Sequence, residues 1–207
     1  MPIDIALLAA AGSHCIGSTV RVDIRLSSSP AMRAHAADIL FAWDPAVLRL
    51  VGADDAGATV GNILFTIPSG AQGDYAEVNE VVPPADGTGL VWWLCPLNGL
   101  PTMIDADIVG SLVFEVVAPF YSTSVAIVPT LQPAAYEART VVYGSDTPGT
   151  PVTGSLAPAT VYGCAGDLDG DAFAGPSDLA LELANWRAGS GDRLAAILAA
   201  WGPCGGT

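Results

Sequence analysis

Apolar and polar residues alternate through Thr19-Val20-Arg21-Val22-Asp23-Ile24-Arg25-Leu26, the two-residue period of a strand with one buried face. The apolar stretch that begins near Ile3 reads as an earlier strand. Residues 39–43 read as a second clear strand, and 90–95, 108–117, 124–128 and 140–143 as further ones. Gly, Pro, Asn and Asp separate these runs. Short strands at this spacing, without a helical period between them, predict a mainly β fold, an antiparallel β-sandwich. Residues 145–158 are rich in Thr, Pro, Gly and Ser, and predict a linker or a loop ahead of a last strand at 159–162.

The period changes after Cys164. Residues 178–186 (DLALELANW) and 192–201 (DRLAAILAAW) place apolar side chains at three- and four-residue steps, the signature of a helix. Each segment opens on Asp, a good N-cap, and closes on Trp. A five-residue join, Arg187-Ala188-Gly189-Ser190-Gly191, predicts an antiparallel helical hairpin. The expected division is a sandwich over residues 1–162 and a small α-helical module over 163–207.

Composition narrows the function. The 207 residues are 51% hydrophobic with 23 Gly and 16 Pro, enough for a core and many turns. Twenty-one carboxylates face seven basic residues, all Arg, for a net charge of −14. Such a surface repels phosphate backbones and anionic bilayers, so neither nucleic acid nor membrane insertion is expected. It favours cations, and the excess of Asp over Glu suits turns and hard-cation loops. The cysteines, Cys15, Cys95, Cys164 and Cys204, form no C-x-x-C pair and so do not read as zinc or dithiol chemistry. An even count in this composition suggests disulfides and an oxidising, extracellular or cell-surface setting. No run is long enough for a transmembrane helix. Met1-Pro2-Ile3-Asp4 lacks the basic start of an export leader, which favours a mature chain from the outset.

The strongest chemical signal is Asp167-Leu168-Asp169-Gly170-Asp171-Ala172-Phe173-Ala174-Gly175-Pro176-Ser177-Asp178. Carboxylates fall at loop positions 1, 3, 5 and 12 and a helix follows at once. Calcium takes six to eight oxygens at flexible geometry, and an EF-hand-type loop supplies them from such positions. Asp167, Asp169 and Asp171 offer side-chain oxygens, Phe173 its carbonyl, and Asp178 a carboxylate that also caps its helix. Gly175, at position 9, leaves its place to water. The competing interpretation is a metal-free Asx-rich turn, but Asp at alternate positions would repel one another without a cation. Ala172 stands at position 6, where a left-handed turn normally asks for Gly.

GDLDGDAFAGPSDLALELANW, residues 166–186, resembles one dockerin repeat, in which Asp at position 12 is usual. A full dockerin has two calcium loops. Only five residues separate Trp186 from the second helix, so the resemblance implies one Ca2+ site. It also implies a protein partner, with positions 10 and 11, Pro176 and Ser177, contributing to partner choice. Cys164 and Cys204 bracket the hairpin, and a disulfide between them is expected. The pairing of Cys15 with Cys95 stays open. The segments GSTVRVDIRL, ADILFAWDPAVLRLVGA and IVGSLVFEVVAP are similar in order to cohesin domains and their carbohydrate-binding-module relatives. Asp44-Pro45 with Val47-Leu48, and Trp43 ahead of them, matches the aromatic-Asp-Pro step. This likeness implies a nine-stranded jelly-roll-like sandwich with a binding role.

Trp92 and Trp93 are adjacent in a strand, so one faces in and one out. The outward ring serves either as a sugar platform or, more simply, as packing under a loop. Trp186 and Trp201 read as hairpin core or domain contact. His14 and His35 sit in no readable nucleophile–base arrangement. Acid pairs such as Asp54-Asp55 and Asp105 with Asp107 lack the surroundings of a glycosidase acid and base. The expectation is a non-catalytic extracellular assembly or adhesion protein. Its partner is another protein, including other copies of itself in head-to-tail polymers. The alternative is a polysaccharide-binding module whose hairpin docks on a separate surface protein, and further calcium sites in the sandwich loops are left open.

Overall fold

The computed structural model describes residues 2–54, 57–59, 62–68, 75–77, 87–94, 102–131, 138–144, 151–187 and 190–204. Within these, residues 62–68, 75–77, 88–94, 102, 131, 138 and 190 are described by backbone alone. The strands in chain order are β1 (Ile3–Ala9), β2 (Ser13–His14), β3 (Thr19–Ala42), β4 (Leu48–Asp54), β5 (Asn62–Pro68), β6 (Tyr75–Glu77) and β7 (Thr88–Leu94). They continue with β8 (Thr102–Val116), β9 (Ser122–Ile127), β10 (Thr130–Leu131), β11 (Ala138–Arg139), β12 (Val141–Gly144), β13 (Thr153–Ala157) and β14 (Ala159–Gly163). The tail holds β15 (Phe173–Ala174), α1 (Pro176–Ala184), α2 (Ser190–Ala199) and β16 (Gly202–Pro203).

One long strand builds the sandwich. Within β3, Val20, Val22, Ile24 and Leu26 are fully buried while Arg21, Asp23 and Arg25 between them are not, so the alternation in the sequence is the alternation of the sheet faces. This first half of β3 pairs with β1 on one side and β8 on the other. The second half pairs with β7, β12 and β9. The ladder to β8 jumps between Ser27 and Met32, around Pro30, a residue with no N–H to give to a ladder. The ladder resumes over Met32, Arg33 and Ala34, and beyond it β3 continues in the second layer. The first layer runs β13-β1-β3-β8-β4 and the second β6-β5-β7-β3-β9-β14-β2, with β12 alongside β3.

The sandwich is predominantly antiparallel as the strand spacing predicts, with two exceptions. β1 runs parallel to β13, and β14 parallel to β2. β13 occupies part of the stretch expected to be linker or loop. Its Thr153 Oγ1 accepts the Val142 N–H at 2.9 Å, and Asp4 accepts both the N–H (2.6 Å) and the hydroxyl (2.8 Å) of Ser155. Side-chain hydrogen bonds thus hold a strand whose composition suggested a loop. The described residues hold fourteen strand segments through Gly163 rather than nine; three of the added ones, β2, β10 and β11, are two-residue pairings that no period reveals.

The core lies between the layers. Phe41 stacks on Trp43 with ring centroids 5.6 Å apart, and Trp43 meets Phe114 edge-on at 5.5 Å. Trp43 satisfies its indole N–H on the Leu48 carbonyl at 3.0 Å, as a buried Trp must. The turn behind it is closed by Asp44, whose carboxylate accepts the Ala46 N–H at 2.9 Å. The Trp-Asp-Pro step is therefore a core anchor followed by an Asx turn. No helix of the described residues is long and apolar enough to cross a membrane.

Candidate metal-binding loop and helical hairpin

The loop after β14 collects carboxylates around its own backbone. One oxygen each from Asp167, Asp169 and Asp171 lies within 4.8 Å of the others, with Asp167 buried and its two partners exposed. Asp167 accepts the Gly170 N–H at 2.8 Å and the Ala172 N–H at 3.2 Å. Asp169 accepts the Asp171 N–H at 3.1 Å, and Asp171 the Phe173 N–H at 2.8 Å. The carboxylates at 167, 169 and 171 each accept backbone N–H groups from residues further along the loop, which wraps the chain into a ring. Ala172 adopts φ 67° and Gly170 φ 81°, so the left-handed step expected at position 6 is taken by an alanine. That conformation costs a non-glycine residue roughly 1–2 kcal/mol.

Asp178 is fully buried but stands outside this group of three. Its oxygens accept the N–H groups of Leu168 at 2.6 Å, Asp169 at 3.2 Å and Gly175 at 2.7 Å. It closes the ring by binding its start to its end. The helix does not begin on Asp178, as its capping residue type suggested. Gly175 is the N-cap and Pro176 occupies the first turn, the place where a missing N–H costs nothing. Asp178 then reaches back to the cap as an acid in the positive first turn. The second helix likewise starts early, at Ser190 rather than Asp192. Pro176 and Ser177 are exposed at the opening of α1.

Burial pushes the Asp167 carboxyl above its ordinary range. The Gly170 and Ala172 N–H groups pull it back, and the neighbouring Asp178 and Asp171 carboxylates push it up again. Such a ring gathers hard oxygen ligands, with backbone N–H groups offsetting part of their mutual repulsion.

The loop is pinned at both ends. Cys164 and Cys204 form a disulfide with Cα atoms 5.7 Å apart. β15 pairs with β16, and the Cys204 N–H reaches the Ala172 carbonyl at 2.8 Å. Phe173, the expected carbonyl donor, lies in this small pairing with its ring exposed. A side chain at Gly166 would meet Ala174, Ala200 and Ile197 at 3.0 Å, so the loop sits flush on α2. The loop also touches the sandwich. The His14 carbonyl accepts the Cys164 N–H at 3.2 Å, and a side chain at Gly170 would reach Ile16 at 3.6 Å.

The helices leave much of their apolar surface outside. Ala174, Ala196 and Ile197 are buried, whereas Leu181, Leu183 and Leu198 are exposed, and Trp186 and Trp201 are 53% and 48% exposed. Of the two expectations for Trp186 and Trp201, hairpin core or domain contact, their exposure does not fit the hairpin core. Between helices of nine and ten residues the buried side chains are few, Glu182, Ala196 and Ile197 among them. Glu182 is buried against α2 with Arg193 3.9 Å away.

Trp92 and Trp93 lie on β7, opposite Asp38 and Ala37 of β3 and Leu64 and Ile63 of β5. Cys95 and Asp55 fall outside the described residues. Cys15 carries a free thiol. The acids weighed as a catalytic pair have structural partners. Asp54 takes both terminal nitrogens of Arg21, at 3.1 and 2.7 Å, and Asp107 holds the Asp105 N–H and the Thr59 hydroxyl, each at 3.0 Å. His35 lies against the Tyr143 ring. Sequence reasoning did not find the approach to the acidic loop of Cys15, whose Sγ lies within 4.8 Å of an Asp167 oxygen, or of Ile16, because the sandwich separates them along the chain and no local pattern encodes it.

No protein-family profile matches the chain, and no curated protein resembles it in sequence. Solved structures do. A cohesin module from a Clostridium perfringens family 33 glycoside hydrolase superposes with TM-score 0.51 at 10% identity, over 78% of this chain and 97% of its own. The sandwich has a cohesin-like fold. A chain of a type I cohesin–dockerin complex from Clostridium thermocellum gives TM-score 0.51 at 12% identity, over 77% of this chain and 98% of its own. A type II cohesin domain from the Acetivibrio cellulolyticus cellulosome gives 0.50 at 15% identity, over 78% and 95%. At these identities the cohesin likeness is one of fold. The unmatched remainder of the chain is comparable in length to the loop and hairpin that follow β14.

Proposed function

We propose that this chain is an extracellular, non-catalytic assembly protein, in which a cohesin-like sandwich carries a dockerin-like calcium-binding hairpin. The observation that carries the reading is the ring of Asp167, Asp169 and Asp171, with oxygens within 4.8 Å, placed immediately ahead of a hairpin with exposed Leu and Trp side chains. Calcium would be held by those three carboxylates, with Phe173 and Asp178 completing the EF-hand-type set. It would neutralise a loop whose own groups leave it over-charged.

The partner is a protein. The exposed faces of α1 and α2 offer Leu181, Leu183 and Leu198, with Trp186 and Trp201 just past their ends, and buried Trp anchors dominate such contacts. Pro176 and Ser177, exposed at the start of α1, flank that surface. One similar solved chain comes from a cohesin–dockerin complex, and the same pairing of halves here would let the hairpin of one copy dock on the sandwich of the next. Such a contact is heterologous and builds open filaments when it does not close on itself.

A second reading is favoured by the His14–Cys164 hydrogen bond and the approach of Gly170 to Ile16: the hairpin caps its own sandwich. Size-exclusion chromatography with light scattering, in calcium and in chelator, separates the two. Assembly predicts calcium-dependent growth in mass with concentration, lost in Asp169→Ala. The cap predicts a monomer throughout, with Asp169→Ala lowering only the melting temperature. Retention of Trp92→Ala and Trp93→Ala on polysaccharide columns addresses the glycan alternative.

A further inference from the structure

We propose that Cys204 has two disulfide partners, Cys164 and Cys15, and that the chain interconverts them by intramolecular thiol–disulfide exchange. Three sulfurs meet at the junction of sandwich and tail. The free Cys15 Sγ lies within 4.8 Å of the Cys204 Sγ, and Cys164 stands outside that grouping while bonded to Cys204. Cys15 is partly exposed.

Backbone hydrogen bonds hold all three in place. The Cys15 carbonyl accepts the Ser18 hydroxyl at 2.6 Å and the Ser18 N–H at 3.0 Å. The Gly17 N–H reaches the Val116 carbonyl at 2.8 Å, fixing that turn to β8. Cys164 is tied to His14 and Cys204 to Ala172. The thiol is thus presented to a disulfide by a rigid frame, which gives the attack a high effective concentration.

The step is balanced without an outside oxidant. The Cys15 thiolate attacks the Cys204 sulfur, the Cys15–Cys204 bond forms as the Cys164–Cys204 bond breaks, and Cys164 leaves as a thiolate that takes up the proton Cys15 gave up. Oxidation state is conserved. One product clasps the tail on itself. The other fastens the end of the tail to the turn between β2 and β3, and so staples the hairpin to its own sandwich. The inference stands on the sulfur positions, with one oxygen of Asp167 within 4.8 Å of both the Cys15 and the Cys204 sulfur.

The chain has no lysine, and its arginines place the four cysteines on four separate tryptic peptides: 1–21, 50–139, 140–187 and 194–207. The folded protein is blocked with N-ethylmaleimide, digested without reduction and mapped by mass spectrometry. Exchange predicts maleimide on 140–187 as well as on 1–21, and a 1–21/194–207 cross-link beside 140–187/194–207. In Cys164→Ser, folded in a glutathione redox buffer, it predicts the 1–21/194–207 cross-link within monomers as the main species. Absence of maleimide from 140–187 in the wild type, a link from 1–21 to 50–139, or a free or glutathionylated Cys204 in a folded Cys164→Ser would each overturn it.

Discussion

At the residue scale the account rests on Asp167 and Ala172. Asp167 is buried with its carboxyl held above the ordinary value of 3.8, chiefly by that burial. A raised carboxyl binds its proton more tightly in the folded chain than in the unfolded one. Its contribution to stability is therefore present at low pH and falls as pH climbs from 3.8 through the raised folded value. Calcium demands the ionised form. The rise in melting temperature on adding calcium over chelator should grow with pH through that window and then level off. Paired calorimetric scans across it cancel the groups that do not bind the ion, and a calcium increment independent of pH would contradict the assignment. Ala172, at φ 67°, was the one position the loop pattern marked as wrong for its residue. The structure keeps the left-handed step and carries its strain. Ala172→Gly should raise the melting temperature of the calcium-loaded protein, in line with recovery of about 1 kcal/mol, and thermal scans would read it.

At the scale of elements, the alternation from Thr19 to Leu26 was legible because β3 buries every second side chain. The helical hairpin was legible from its three- and four-residue steps. Helix starts were misplaced because Gly175 and Pro176 compete with Asp178 for the capping role, and a backbone cap leaves little trace in residue type. β13 was missed because Thr153 and Asp4 hold it through side-chain bonds across the chain. Of the candidate site, the acidic spacing of 167, 169 and 171 was plain in the sequence. The contact of the loop with Cys15 and Ile16 was not, since it arises only when β14 lies beside β2. Two expectations belong here. Gly166→Val should lower stability by roughly 1–3 kcal/mol in denaturant melts, as an overpacked contact does, because Ala174, Ala200 and Ile197 already stand at 3.0 Å. Cys204→Ser removes either clasp, and the loss of a 40-residue closure should cost the hairpin about 4 kcal/mol in the chain-entropy picture.

At the scale of the whole molecule, the cohesin-like layers and the tail meet through the turn after β2, while Leu181, Leu183 and Leu198 of the helices and the two Trp past their ends are exposed. An anchored loop and an outward hairpin suit a protein that presents its tail to others. Trp186→Ala with Trp201→Ala should leave thermal stability within about 0.5 kcal/mol per site, as exposed substitutions do, and abolish growth in mass on light scattering. The most direct test is isothermal titration of calcium into the chelator-stripped protein, beside Asp169→Ala. The account predicts one ion bound per chain in the wild type and a large loss of affinity in the variant. Absence of calcium uptake by the folded wild-type chain would contradict it.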